Sequence, residues 1–149
     1  MSTPHREFVK PSLAERFLNR LFGLLVGWGF GPHYNYLLQV QGRKTGRIYS
    51  TPINLIDHDG KRFLVAPRGE TQWVRNARVS AEVWLKKGRS RQRFGLRPLN
   101  DADKPEVLKQ YLDRYRSVVQ RYFTIPAGSP IQAFSAIAPE YPVFELNPK

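Results

Sequence analysis

Two cations and a hydroxyl lie between two glycines, with a third cation just beyond, in Gln41-Gly42-Arg43-Lys44-Thr45-Gly46-Arg47, a turn of the 149-residue chain equipped to hold an anion. Arg43, Lys44 and Arg47 supply charged donors, Thr45 adds a hydroxyl, and Gly42 and Gly46 permit φ > 0 or a close backbone approach. The spacing is not that of a Walker P-loop, and no Gly-x-Gly-x-x-Gly follows a strand. A solvated basic hairpin loop has the same composition, so the turn alone leaves both readings open.

Protein-borne acid–base chemistry is sparse by comparison. His5 lies in a polar tail, His33 follows Gly31-Pro32, and His58 sits in Asp57-His58-Asp59-Gly60, which reads as turn chemistry and not as a metal site. There is no Gly-x-Ser-x-Gly elbow, His-Glu-x-x-His helix or close carboxylate pair. Without cysteine the chain has no disulfide, thiolate metal site or Cys nucleophile. A formal charge of +12 favours polyanions: nucleic acid, an anionic membrane surface or an acidic small molecule. Few acid–base groups and many cations suit a protein that binds an anionic cofactor and leaves the reaction to it.

The elements that position these residues follow from periodicity. Ser12 and Glu15 open an amphipathic helix with Leu13, Phe17, Leu18, Leu21, Phe22 and Leu25 on one face. It is expected to pack on the domain, with peripheral membrane contact as the alternative. The longest apolar run, Leu21 to Phe30, is too short to span a bilayer, and no cleavage site follows it, so a cytoplasmic location is expected.

Strands are expected at Tyr36 to Val40, Tyr49 to Ile56, Arg62 to Ala66, Glu82 to Lys86, Arg91 to Leu99 and Pro142 to Leu146. Asp59-Gly60 closes a hairpin. A short helix covers Thr71 to Arg78, with Trp73 and Ala77 on one face and its N-terminus beside Arg68, where free N–H groups favour an anionic or carbonyl-bearing ligand. Asp103-x-x-Glu106 with Pro105 starts a longer helix whose apolar stripe includes Tyr111 and Tyr115, and Val118 to Phe123 prolong it or begin a new turn. Another short helix starts near Ser129-Pro130-Ile131. Tight turns between short strands, with helices at the start, middle and end, predict an α+β domain on an antiparallel barrel.

Gly42-Arg43-Lys44-Thr45-Gly46, Ser50-Thr51-Pro52, Leu64-Val65-Ala66-Pro67-x-Gly69 and Trp73-x-x-Asn76 occur in the order found in the deazaflavin-dependent nitroreductase family, also called the coenzyme F420-dependent quinone reductases, which the chain resembles. The resemblance is fullest over Tyr36 to Leu99. It implies a split β-barrel of flavin-reductase type with flanking helices, spanning 36–149 after an N-terminal helix and Gly-rich connection in 1–35. It also implies coenzyme F420, an 8-hydroxy-5-deazaflavin, as hydride donor to a quinone, nitro compound or activated alkene. Arg43, Lys44 and Thr45 would hold the cofactor's phosphate and acidic tail, Arg47 or Arg68 would extend that track, and Gly46 would admit its backbone. Pro52, Ala66 and Pro67 would line the ring, supported by Trp73 and Asn76. Tyr111, Tyr115 and Tyr122 are candidates for the acceptor pocket, with core packing as the alternative for each.

Three other readings stay open. One keeps the fold as a non-catalytic binder of a fatty acid, haem-like or other hydrophobic anion, and one substitutes FMN as the cofactor of a reductase. The third is a nucleic-acid module using Arg89, Arg91, Arg93 and Arg97, although an arginine row on an edge strand also discourages aggregation.

Overall fold

A computed structural model describes residues 36–149. The expected N-terminal helix, its Gly-rich connection and any membrane contact through it fall outside those residues. Seven strands form one sheet: β1 (Tyr36–Gln41), β2 (Ile48–Ile53), β3 (Leu55–His58), β4 (Lys61–Val65), β5 (Glu82–Lys87), β6 (Ser90–Pro98) and β7 (Val143–Pro148). Helix α1 (Gln72–Ser80) lies between β4 and β5, and α2 (Pro105–Val119) and α3 (Ile131–Ile137) lie between β6 and β7. No helix among the described residues is long and apolar enough to cross a membrane.

The strand order is β2-β1-β5-β6-β7-β4-β3, and every pairing is antiparallel. β2 and β3 are therefore at opposite ends of the order, yet only Asn54 separates them in the chain. The sheet must curl until its two edges meet, which makes it a split barrel. The single strand expected over Tyr49 to Ile56 is in fact two. It changes partner at the buried Asn54, from β1 on one side to β4 on the other.

Two apolar clusters explain the sequence pattern. Leu38, Val40, Leu55, Leu64, Val83, Leu85, Phe94, Phe144 and Leu146 fill the inside of the curl, which Val74 and Ala77 of α1 cap. Ile56, Phe63, Val65 and Val143 lie on the other face of β3, β4 and β7, against Leu108, Tyr111 and Leu112 of α2 and Phe134 of α3. β4 is thus buried on both faces and reads as the continuous run Phe63-Leu64-Val65, whereas β6 has one wet face and alternates. The β3–β4 turn has φ of 50° at Asp59 and 73° at Gly60, the paired positive values of a type I′ hairpin.

The expected capping box before α2 does not form. Asp101–Asp103 make a 3₁₀ turn, Lys104 occupies the N-cap, and its Nζ donates to Asp101 Oδ1 at 2.7 Å and to the Ala138 carbonyl at 3.2 Å. A buried lysine joining two segments replaces the Asp–Glu cap. The helix loses regular geometry at Tyr115 (φ −110°, ψ 22°) and passes into a 3₁₀ turn, Gln120–Tyr122.

Glu145 is a buried carboxylate in β7, bonded by Arg97 Nε at 2.5 Å and Lys61 Nζ at 3.3 Å. The Arg97 hydrogen bond, with that of Lys61 and both charges, outweighs desolvation and holds its pKa below the ordinary glutamate value of about 4.3. A depressed folded-state pKa stabilises the protein above the unfolded-state value and loses that contribution as pH falls through the folded one. Glu145→Gln is therefore expected to lower stability at pH 7 and to flatten the fall in Tm below about pH 4.3. Melting curves from pH 7 to pH 3 check this, and parallel acid limbs for the two proteins would refute it.

Candidate functional site

The cationic turn closes the β1–β2 hairpin. Gly42 N–H donates to the Arg47 carbonyl at 2.7 Å, and Gly46 N–H to the Gly42 carbonyl at 3.0 Å. Only Gly46 uses a positive φ, 72°. Gly42 is required for close approach instead, because a Cβ there would meet Tyr49 Cε2 at 2.6 Å and Thr45 Oγ1 at 2.9 Å. Thr45 Oγ1 also accepts from Arg47 N–H at 3.2 Å and pairs with the Tyr49 hydroxyl at 3.1 Å.

Helix α1 pins this turn. Asn76 Oδ1 accepts from Arg43 N–H at 3.1 Å and from Arg43 Nη1 at 2.7 Å, while Gln72 Oε1 accepts from the same Nη1 at 3.0 Å. One edge of the guanidinium is therefore fixed to the helix, with its remaining donors still available. Asn76 is buried, so its principal contact is to the turn. Lys44 is exposed and makes no ion pair among the described residues.

A cavity of about 700 Å³ opens beneath the turn. Its wall brings together Arg43, Lys44, Thr45, Pro52, Ala66, Pro67, Arg68, Trp73 and Asn76, and also Tyr111 and Tyr122 from the far side. Strands β1, β2 and β4 and the N-terminal half of α1 place the first group, and α2 with its 3₁₀ extension places the second. Arg68 lies over the Tyr122 ring, with its guanidinium carbon 5.9 Å from the centroid, and links the two sides.

Gly46, Arg47 and Tyr115 are outside this wall. Gly46 closes the hairpin, and Arg47 is on its exposed return limb. The Tyr115 hydroxyl donates to the Leu55 carbonyl at 2.5 Å, and its ring meets Tyr111 edge-on with centroids 5.4 Å apart. Tyr115 positions Tyr111. Val118 and Val119 join the wall, as do Tyr49, Asn54, Thr71 and Gln72. Tyr49 had a sequence signal, four residues after Thr45 on the adjoining strand. The valines had none, because only tertiary packing brings the end of α2 to the cavity wall.

The arginine row is elsewhere. Arg91 and Arg93 share the exposed face of β6, where Arg91 stacks on Trp84 at 4.7 Å and donates to Gln39 Oε1 at 2.7 Å. Arg97 is tied to Glu145. The Asp57 to Gly60 turn also gains a neighbour: His58 Nε2 is 3.1 Å from Glu106 Oε2 and 3.3 Å from Asp59 Oδ2, while His58 Nδ1 pairs with Gln110 Oε1 at 2.9 Å. Glu106 and Gln110 both belong to α2, so this cluster joins the β3–β4 turn to that helix.

Residues 16–125 match the family model of the F420H(2)-dependent quinone reductases. The chain belongs to that family. Coenzyme F420 is its cofactor, and the protein is an F420H2-dependent oxidoreductase. No curated protein sequence matches it. Among solved structures, this reductase is similar to the F420-H2 dependent reductase FDR-A, with 18% identity over 75% of this chain and 92% of that one, at a TM-score of 0.51. It is also similar to the haem storage protein HutZ from Vibrio cholerae, with 13% identity over 76% and 80% of the two chains and a TM-score of 0.51. A NimC/NimA family protein from Clostridium acetobutylicum has 13% identity over 85% and 77%, again at 0.51. At these identities the structures establish the split-barrel fold and nothing finer.

The donor set fits the cofactor. Lys44 and the unused guanidinium donors of Arg43 offer charge-assisted hydrogen bonds at one side of the cavity, and Pro52, Ala66 and Pro67 offer apolar surface within it.

Proposed function

We propose that this reductase delivers hydride to a quinone, with nitro compounds and activated alkenes as acceptors of the same planar, conjugated class. The observation that carries the reading is that the cationic turn and an aromatic, largely apolar wall border one cavity of about 700 Å³. Cavities of about 300–1,000 Å³ bury most of a drug-sized ligand. When bound, reduced F420 supplies the hydride.

The chain supplies the rest. Lys44, Arg43 and Thr45 hold the phosphate and acidic tail, and Arg68 and the exposed Arg47 extend that positive track. Pro52, Ala66 and Pro67 line the ring, while Trp73 and Asn76 fix α1 beside it. Tyr111, Tyr122, Val118 and Val119 border the acceptor and exclude water, which strengthens local electrostatics. A quinone that gains a hydride at oxygen or carbon needs one proton to become the hydroquinone. Solvent supplies it, or the Tyr122 hydroxyl does and is then reprotonated from solvent.

The test is a fluorescence titration with oxidised F420 and with FMN, followed by an assay of F420H2 oxidation by quinone, nitro and enone acceptors. Saturable F420 binding with turnover of a quinone supports the reading. Preference for FMN would replace the cofactor, and tight binding without turnover of any acceptor would favour the non-catalytic binder. Lys44→Ala is expected to weaken F420 binding about 10- to 100-fold, as for loss of a charge-assisted hydrogen bond. Equal affinity would remove the turn from the site.

A further inference from the structure

The N-terminus of α1 contains a hydroxyl that the fold does not use. Thr71 is at the N-cap position with extended backbone (φ −80°, ψ 175°), where a threonine side chain ordinarily accepts a hydrogen bond from an N–H two or three residues later. Here no such bond forms. Thr71 is only 8% exposed, and its Oγ1 is buried with no hydrogen-bond partner among the described residues. Its backbone, by contrast, is fully used: the N–H donates to the Gly69 carbonyl at 2.9 Å, and the carbonyl accepts from Arg75 N–H at 3.1 Å.

The same residue lines the cavity, between Arg68 and Gln72. The first N–H groups of an α-helix have no acceptor within the helix, and they form the positive end of its dipole. Because Thr71 caps none of them, its hydroxyl and the leading amides of α1 are both left for a ligand. A buried hydroxyl without a partner destabilises a fold, and valine, of the same shape, would carry no such cost. Something outside the fold accounts for the threonine.

We infer that the Thr71 hydroxyl is a specificity-determining donor to the bound heterocycle, selecting a ring whose edge toward α1 carries a carbonyl or partly anionic oxygen. The inference rests on the F420 reading for the identity of that ring. It adds to that reading a residue, an atom and a direction of donation.

The experiment compares the wild-type protein with Thr71→Val and Thr71→Ser, by F420 fluorescence titration and by thermal melting of each apo-protein. Thr71→Val is expected to melt at the same or a higher temperature than wild type while binding F420 about tenfold more weakly, as for loss of one hydrogen bond. Thr71→Ser, which keeps the hydroxyl, is expected to restore most of the affinity. A cap that served only the fold would give the opposite stability result, so a lower melting temperature for Thr71→Val overturns the inference. Unchanged F420 affinity in Thr71→Val overturns it as well, and leaves the cofactor reading standing. Absence of F420 binding by the wild-type protein would instead defeat the cofactor reading, and with it the ring assigned to Thr71.

Discussion

Asn76→Ala is expected to weaken F420 binding about 30- to 100-fold while leaving the protein folded. The side chain never has to touch the cofactor for this to hold. Its Oδ1 accepts from both the Arg43 backbone N–H and Arg43 Nη1, so one atom fixes the path of the turn and the direction of the guanidinium. Truncation strands the Arg43 backbone N–H and leaves the guanidinium held by Gln72 alone, and a hydrogen bond to a charged group contributes about 1.5–3 kcal/mol. At 1.4 kcal/mol per decade, losing that bond together with the orientation of the turn gives the stated range. Asn76→Asp keeps the acceptor and adds a charge opposite Arg43, so it should bind within a few-fold of wild type. The check is a double-mutant cycle on F420 affinity using Asn76→Ala, Arg43→Ala and both together. Coupling means that the double variant is little worse than either single one, whereas independent losses would show that Asn76 acts on the cofactor by another route.

This dependence explains which parts of the site were legible in the sequence. Arg43, Lys44 and Thr45 stand out as candidates because charge between glycines on a hairpin is a local signal, whereas Trp73 and Asn76 enter the candidate site through the family resemblance. That Asn76 would hold Arg43, 33 residues away, has no local signature, since it depends on how α1 caps the curled sheet. The division of the Tyr49 to Ile56 run had the same origin. β-branched residues continue through Asn54, and only barrel closure requires the chain to exchange partners there. At α2 the local rule was misleading. Asp103 and Glu106 have capping-box spacing, but Lys104 is buried between Asp101 and the Ala138 carbonyl, and that tertiary contact sets the helix start. Tyr111 and Tyr115 lie on one stripe and look equivalent in sequence, yet Tyr111 reaches the cavity and Tyr115 is bonded to the Leu55 carbonyl.

Tyr141→Ala is expected to lower stability by about 3–5 kcal/mol, the range for truncating a large buried aromatic, and Tyr141→Phe by about 1 kcal/mol. Tyr141 is fully buried, its ring stacks on Phe123 with centroids 4.5 Å apart and planes 8° apart, and its hydroxyl donates to the Tyr122 carbonyl at 2.7 Å. For a chain of this size the alanine variant should melt about 6–20 °C below wild type, and the phenylalanine variant about 2–4 °C below. The contacts also continue toward function. Phe123 meets Tyr111 at 6.3 Å and Tyr111 meets Tyr115 at 5.4 Å, so a row of aromatic rings runs from the core beside β7 to the cavity wall. Losing the Tyr141 hydroxyl frees the Tyr122 carbonyl and loosens the 3₁₀ turn that carries the Tyr122 ring, while the cationic turn on the opposite side is untouched. Tyr141→Phe should accordingly raise KM for the acceptor with little change in F420 affinity. A Tyr141→Phe protein whose F420 affinity falls while acceptor KM is unchanged would place Tyr122 against the cofactor, and would reverse the assignment of the two sides of the cavity.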